Sequence, residues 1–421
     1  MVSLIAFFIL MKSAHASVTD VFVKPHAVYQ MSFSASLMTT KKNDRDQYLK
    51  LAEQQAGYLV GSMAIERKVP NRNFTGGPLY QKGDITLDEV IEHDDGRVGV
   101  FYRYHGKVVI DEAGLKAYEV YLPIDIESIS SIDRELIYYC TNRWDRSYDP
   151  AALPFTWSPF ASKKCGISYQ AIKTSLSEVR DVRSETYPEY PRMVRDGVIR
   201  IAYLVGKMDP RSDHEIARGQ QIDPSKVEYS EVIGHLKKNG FQKSEKETRL
   251  PVLIDSQSDQ YTSLRETWVK SAGSIRIEVN MIFGNSVFSI PEQKLSFDDF
   301  QKQLESLAPK SSVLIYSGHS GFQMDNAVAQ FDGYQLIAMN GCQTSTSADS
   351  FFRKKSSQNL DLIVNVRQTR ANVLVMTSTM DAIVDWTEKG IWTPYSVLIR
   401  KMDMVESMLG VLGDEDNTSK P

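Results

Sequence analysis

Two short stretches of the chain end in side chains that could do covalent chemistry together. Val313-Leu314-Ile315-Tyr316-Ser317-Gly318-His319 and Leu336-Ile337-Ala338-Met339-Asn340-Gly341-Cys342 each run an apolar strand into a glycine and then a reactive group. Open α/β sheets place their ligands at the carboxyl ends of strands. If these two strands are parallel and adjacent, an imidazole and a thiol emerge at the same edge. The imidazole can take the thiol proton and later protonate a departing amine. A helix beginning near Thr344 to Ser350 would aim its positive end at Cys342 and lower the thiol pKa further. Gly318 and Gly341 leave the backbone bare beside each reactive group, so a peptide can approach. Asn340 and Asp325 are the candidates for orienting His319.

Two competing chemistries fit less well. Gly318-His319-Ser320-Gly321 begins like the G-x-S-x-G elbow of serine hydrolases, but Phe322 stands in the fifth place. Such enzymes also need a histidine after the serine, and His319 is the last of the seven histidines. A metal site lacks donors, because the region offers one His and one Cys with no second ligand in binding spacing. Asp325 and Asp332 read as loop carboxylates, and the chemistry needs no cofactor.

The elements that must position the pair are read from periodicity. From Val198 onward, strand-length apolar runs alternate with helical segments, the signature of βαβ units and a parallel sheet. Strands are expected at Val198–Val205, Ser274–Phe283, Ser312–Tyr316, Tyr334–Met339 and Asn372–Thr377, with antiparallel strands added by the insertion before Ser274. Helices are expected over Ser225–Asn239, from an N-cap at Ser296 through Leu307, and over Pro394–Leu412. The first half reads as α+β. A helix spans Asp44–Met63, and short strands (Ile85–Glu92, Arg97–Tyr104, Lys107–Ile110, Lys116–Leu122) form an antiparallel meander opened by an Asp94-Asp95-Gly96 hairpin turn. The polar, proline-containing stretch Ser175–Asp196 reads as a linker, and residues 413–421 as a disordered tail.

Composition bounds the rest. Hydrophobic residues are 42% and charged residues 24% of 421, ordinary for a globular chain, and the net charge of −4 with no basic cluster argues against nucleic acid as a partner. Val2 to Met11 is apolar but too short for a permanent membrane span. Ala14-x-Ala16 follows it, so residues 1–16 read as a cleaved signal peptide and the mature chain as periplasmic or secreted. In that compartment Cys140 and Cys165 can pair across an aromatic and proline-rich loop, which stabilises by about 3.5 kcal/mol on the chain-entropy account. Cys342 is then the cysteine left over, which in an exported protein is idle, intermolecular or reactive.

Strand-Gly-His followed by strand-Gly-Cys resembles the caspase-like superfamily of cysteine peptidases, which includes caspases, legumains, gingipains, clostripain and separase. Asn340-Gly341-Cys342-Gln343-Thr344-Ser345 is similar to the nucleophile turn of those enzymes, and the likeness runs from about Val198 to Ser378. The resemblance implies that His319 is the general acid/base and Cys342 the nucleophile. It also implies that the backbone amides of Ser320 and Cys342 form an oxyanion hole. Two departures stand out: Ser320 follows the histidine where the family usually has glycine, and only residues 320–341 connect His319 to Cys342.

The expectation is therefore an α/β protein. A caspase-like, mostly parallel sheet flanked by helices (198–412) follows a smaller α+β domain (17–174) and a linker (175–197). The expected activity is hydrolysis of peptide or protein substrates through an acyl-enzyme. The alternative is a catalytically inactive caspase-like binding or scaffold protein of the cell envelope.

Overall fold

The computed structural model describes residues 21–22, 26–64, 76–79, 83–129, 154, 157, 166–179, 185–207, 223–255, 260–287, 293–319, 322, 324–367, 372–402 and 408–413. The expected signal peptide, Cys140, Cys165, Ser320 and the tail beyond Gly413 lie outside these residues.

Strand β1 (Val21–Phe22) belongs to the second of two main sheets; β2 (Ala27–Thr39) opens the first. Strict alternation makes β2 a strand: Tyr29, Met31, Phe33, Ala35 and Leu37 point to the core, with Gln30, Ser32, Ser34 and Ser36 between them. Helix α1 (Arg45–Gly57) starts at Asp44, whose carboxylate accepts the Gln47 amide at 2.9 Å, and breaks at Tyr58 before α2 (Leu59–Ala64). The remaining elements are β3 (Gly76–Pro78), β4 (Asp84–Glu92), β5 (Val98–Ile110), β6 (Ala117–Pro123), α3 (Ile126–Ile129) and β7 (Tyr169–Glu178). The β4–β5 hairpin turns at Asp94–Gly96 as expected, but the sheet is not a meander. Its order is β3-β5-β2-β7-β6, with β4 also on β5, because β2 pairs with β5 along its whole length and takes the centre. Lys107–Ile110 is the end of β5, not a separate strand.

Past the first sheet, β7 runs through Glu178 and α4 (Tyr190–Met193) is packed into the second core, so much of the stretch expected as linker is structured. The second sheet is built from β8 (Val198–Gly206), α5 (Pro224–Lys238), β9 (Gln242–Arg249), the small hairpin β10 (Leu253–Asp255) and β11 (Gln260–Tyr261), β12 (Leu264–Ala272), β13 (Ile275–Gly284), α6 (Lys294–Leu307), β14 (Val313–Ser317), α7 (Asp325–Val328), β15 (Gln335–Asn340), α8 (Ala348–Phe352), β16 (Leu360–Asn365), α9 (Val373–Lys389), α10 (Tyr395–Met402) and β17 (Leu409–Leu412). Apart from the β10–β11 hairpin, its strands and β1 form nine in the order β1-β17-β16-β15-β14-β8-β13-β12-β9. The five central strands, β16 to β13, are parallel, and antiparallel strands flank them on both sides. The protein is thus mixed α/β.

Both faces of the central strands are apolar, as a covered parallel sheet requires. Tyr203, Ile315, Ala338 and Ile363 face α5, α9 and α10, while Leu204, Leu314, Ile337 and Leu362 face α6, α7 and α8. The first sheet adds Val28, Leu79 and Val109 to the second of these cores. There β3 lies so close that a side chain at Gly77 would stand 2.8 Å from the Val366 side chain and 3.0 Å from its carbonyl.

Three expected boundaries are corrected. The fifth parallel strand is Leu360–Asn365; Asn372–Thr377 instead caps and begins α9, with the Asn372 side chain accepting the Leu374 amide at 3.0 Å. Its β-branched run misled because α9 is buried on every side from Val375 to Met380. Pro394–Leu412 is not one helix, since α10 ends at Met402 and Leu409–Leu412 is a strand paired with β16. Ser296 lies inside the first turn of α6, its hydroxyl turned back to the Gln293 carbonyl at 2.9 Å, and the N-cap is Gln293.

Lys355, just past α8, donates to the Phe331 carbonyl (3.2 Å) and to Gln335 Oε1 (3.3 Å), fastening the α7 loop to the foot of β15. Burial, and after it the Arg195 charge, push its pKa down to about 8. The unfolded chain holds this proton up to about pH 10.4. The unfolded state therefore binds more protons between these values, and stability rises with pH across the window. The penalty for charged Lys355 is fully present below pH 8 and amounts to about 3 kcal/mol at most. Urea unfolding of the wild type should gain stability over Lys355→Met by an amount of this order from pH 8 to 10; parallel curves would refute it.

Candidate active site

The register of the sheet brings the two expected residues to one edge. β14 and β15 are adjacent and parallel, with Ser317 opposite Asn340, and the Gly318 amide extends the ladder to the Asn340 carbonyl at 3.1 Å. His319 lies two residues beyond Ser317 and Cys342 two beyond Asn340, so they leave the sheet in step. His319 is exposed and Cys342 half-buried. The neighbours β8 and β14 send their connections to opposite faces, β8 toward α5 and β14 toward α7. The carboxyl ends at such a reversal are the usual ligand position in open α/β sheets.

Tyr316 links the pair. Its buried hydroxyl donates to the His319 carbonyl at 2.8 Å. Burial pushes the phenol well above its ordinary pKa; Ser286 pulls it back, and the charge of a Cys342 thiolate adds to the rise. The tyrosine hydroxyl is therefore bonded to one residue of the pair and within electrostatic reach of the other. Gly318 makes this possible, since a side chain there would stand 2.5 Å from that hydroxyl. Phe322 stacks on the Tyr316 ring at 4.9 Å and anchors the chain just past His319.

The turn after Cys342 is held from several sides. Gln343 adopts a left-handed conformation (φ 54°, ψ 35°), which costs a non-glycine residue about 1 kcal/mol. The Gln343 amide bonds the Arg367 carbonyl (3.0 Å), and Thr344 Oγ1 donates to Met339 O (2.9 Å) while accepting the Asn365 amide (2.9 Å). Asn365 Nδ2 donates to the Gly341 carbonyl at 3.1 Å. From the first sheet, the Pro78 carbonyl accepts from Ser345 Oγ at 3.0 Å. Strain so heavily over-determined is characteristic of functional turns. A 3-10 turn (Thr344–Ser347) and the single-turn α8 follow, where a helix was expected.

The expected orienting groups are engaged elsewhere. Asp325 pairs with Lys354 at 2.7 Å. Asn340 Nδ2 donates to Ser317 Oγ (3.0 Å) and to the Asn372 carbonyl (3.3 Å). Neither side chain bonds His319. Among the described residues, no group of three or more His, Cys, Asp or Glu comes together as a metal site would require.

Sequence reasoning missed Tyr316, Ser286, Asn365 and Glu228. Only Glu228 carried a local signal: a carboxylate on the stripe of α5 that otherwise buries Ser225, Tyr229, Val232 and Leu236. Neither a scan against protein-family models nor searches among curated proteins and solved structures give any match.

Proposed function

We propose that the chain is an exported, caspase-like cysteine peptidase acting on peptide or protein substrates through His319 and Cys342. The observation that carries this reading is the register of β14 and β15, which delivers an imidazole and a thiol to one edge at the reversal of the sheet. His319 takes the thiol proton and the Cys342 sulfur attacks the scissile carbonyl carbon. The oxyanion is received by the amides of Cys342 and Ser320. As the carbonyl re-forms, the C–N bond breaks and His319 returns the proton to the leaving amine, leaving a thioester. Water, deprotonated by His319, then attacks the thioester and releases the acid and the thiol. Placement in the periplasm or outside the cell rests on residues 2–16 alone.

One observation favours the second reading, an inactive scaffold of the cell envelope: Asp325 and Asn340 are both bonded away from His319. Thiol reactivity separates the two. Iodoacetamide labelling followed at the Cys342 peptide by mass spectrometry should be fast at neutral pH, and His319→Ala should slow it about 10- to 100-fold, the range of a lost thiolate-stabilising base. A labelling rate that simply follows an ordinary thiol near pH 8.5, unmoved by His319→Ala, would end the peptidase reading.

A further inference from the structure

Glu228 occupies a place where α5 needs only an apolar side chain. It lies against the sheet with 3% of its surface exposed, beside Tyr229, Val232 and Leu236. Burying a carboxyl there is costly unless its oxygens are bonded. Both are: Tyr203 donates to Oε1 at 2.5 Å and Ser317 to Oε2 at 2.8 Å. Burial raises its pKa, the Tyr203 and Ser317 hydrogen bonds pull it back, and the Glu231 charge adds to the rise. Among the described residues its hydrogen-bond partners are these two hydroxyls.

The bonds continue along the carboxyl ends of the strands. Ser317 Oγ, donating to Glu228, accepts from Asn340 Nδ2 at 3.0 Å. Asn340 Oδ1 accepts from Asn365 Nδ2 at 3.4 Å, and the same amide reaches the Gly341 carbonyl at 3.1 Å. One chain of hydrogen bonds therefore joins α5, β8, β14, β15 and β16. Its members Ser317 and Asn340 each stand two residues before a reactive side chain. Buried side-chain networks tie together the elements they join.

We propose that Glu228 is a positioning residue for the reactive edge: acting through Ser317 and Asn340, it fixes the carboxyl ends of β14 and β15 and so sets where His319 and Cys342 stand. The consequence for reactivity rests on the peptidase reading above; the positioning itself does not. Two readouts keep these apart. The first is amide hydrogen exchange in peptides covering Gly318 and Gly341–Gln343, and the second is the alkylation rate of Cys342. Glu228→Leu, of similar volume without polar atoms, should speed exchange at both strand ends and slow alkylation at least tenfold. Glu228→Gln, which can still bond both hydroxyls, should recover most of both losses. Ser317→Ala should reproduce the Glu228→Leu effects, and the double variant should add little to either.

Wild-type exchange in folded Glu228→Leu, or losses that multiply in the double variant, would overturn the proposal. If Glu228→Leu does not fold, Ser317→Ala decides: wild-type exchange at both strand ends overturns the proposal, and faster exchange supports it. Cys342 alkylation that is slow and independent of His319 in the wild type would remove the peptidase reading alone, with the exchange data still deciding the role of Glu228.

Discussion

Cys342→Ala is expected to remove turnover of an unfolded protein substrate, with kcat/KM falling by about 10³-fold or more, and His319→Ala should cost nearly as much. The double variant should be no worse than Cys342→Ala. Groups that form one nucleophile are grossly non-additive, because a base without its nucleophile has nothing to activate. Residual hydrolysis above the uncatalysed rate would then measure what substrate binding and backbone amides contribute alone. The assay is cleavage of a denatured, labelled protein by purified variants, with folding checked by circular dichroism. Cys342→Ser is an informative control, since a hydroxyl is far harder to ionise than a thiol and should be nearly as inactive as alanine. Cleavage that survives Cys342→Ala, or losses that multiply in the double variant, would remove the dyad. Because Cys342 sits at the edge of the sheet and not within it, its loss should leave unfolding free energy within about 0.5 kcal/mol of wild type.

The parts of this edge legible in the sequence were those with a local physical signature. Val313–Tyr316 and Leu336–Met339 are continuous apolar runs because both faces of their strands are covered, and a glycine marks where each run stops. That was enough to place His319 and Cys342 on neighbouring strand ends. The third strand of the group, Leu360–Asn365, was hidden by Asp361, a charge inside an otherwise apolar strand. Asn372–Thr377 is the expected strand in its place because its β-branched residues favour a strand, a preference that burial overrides in α9. β2 was missed although its alternation is plain, since an N-terminal strand that pairs with β5 across 58 intervening residues has no turn signal beside it.

The supporting shell was not legible for a different reason. Tyr316 acts because Gly318 lets its ring curl back under the edge, and Ser317 meets Glu228 across 89 positions of sequence. No window of local pattern contains both partners of the Ser317–Glu228 bond. Asp325 shows the converse. It lies near the reactive pair in sequence, and folding commits it to Lys354 instead.

The opposite end of the same sheet makes a contrasting prediction. Asp361→Ala should destabilise the fold by about 2–5 kcal/mol, the cost of leaving two buried hydroxyls without their acceptor and a void beside them. Asp361 is wholly buried at the amino end of β16, where Tyr334 donates to Oδ2 at 2.6 Å and Tyr395 donates to the same oxygen. Burial, and next the Asp361 charge, push both phenols far above their ordinary pKa, so both stay neutral and donate to the carboxylate. Alanine would leave two buried hydroxyls competing for each other at 3.3 Å and a void where the carboxylate stood. The cluster also holds distant segments together: the Glu189 amide bonds the Tyr334 hydroxyl at 3.3 Å, and the Tyr395 amide bonds the Thr186 carbonyl at 2.9 Å. Tyr395→Phe removes one donor and leaves the carboxylate bonded to Tyr334, so it should cost only about 1–1.5 kcal/mol. Urea unfolding of the three proteins gives the order directly, and Asp361→Ala within 1 kcal/mol of wild type would sink the account. Where Cys342→Ala should silence chemistry and spare the fold, Asp361→Ala should weaken the fold while the folded fraction still alkylates at Cys342.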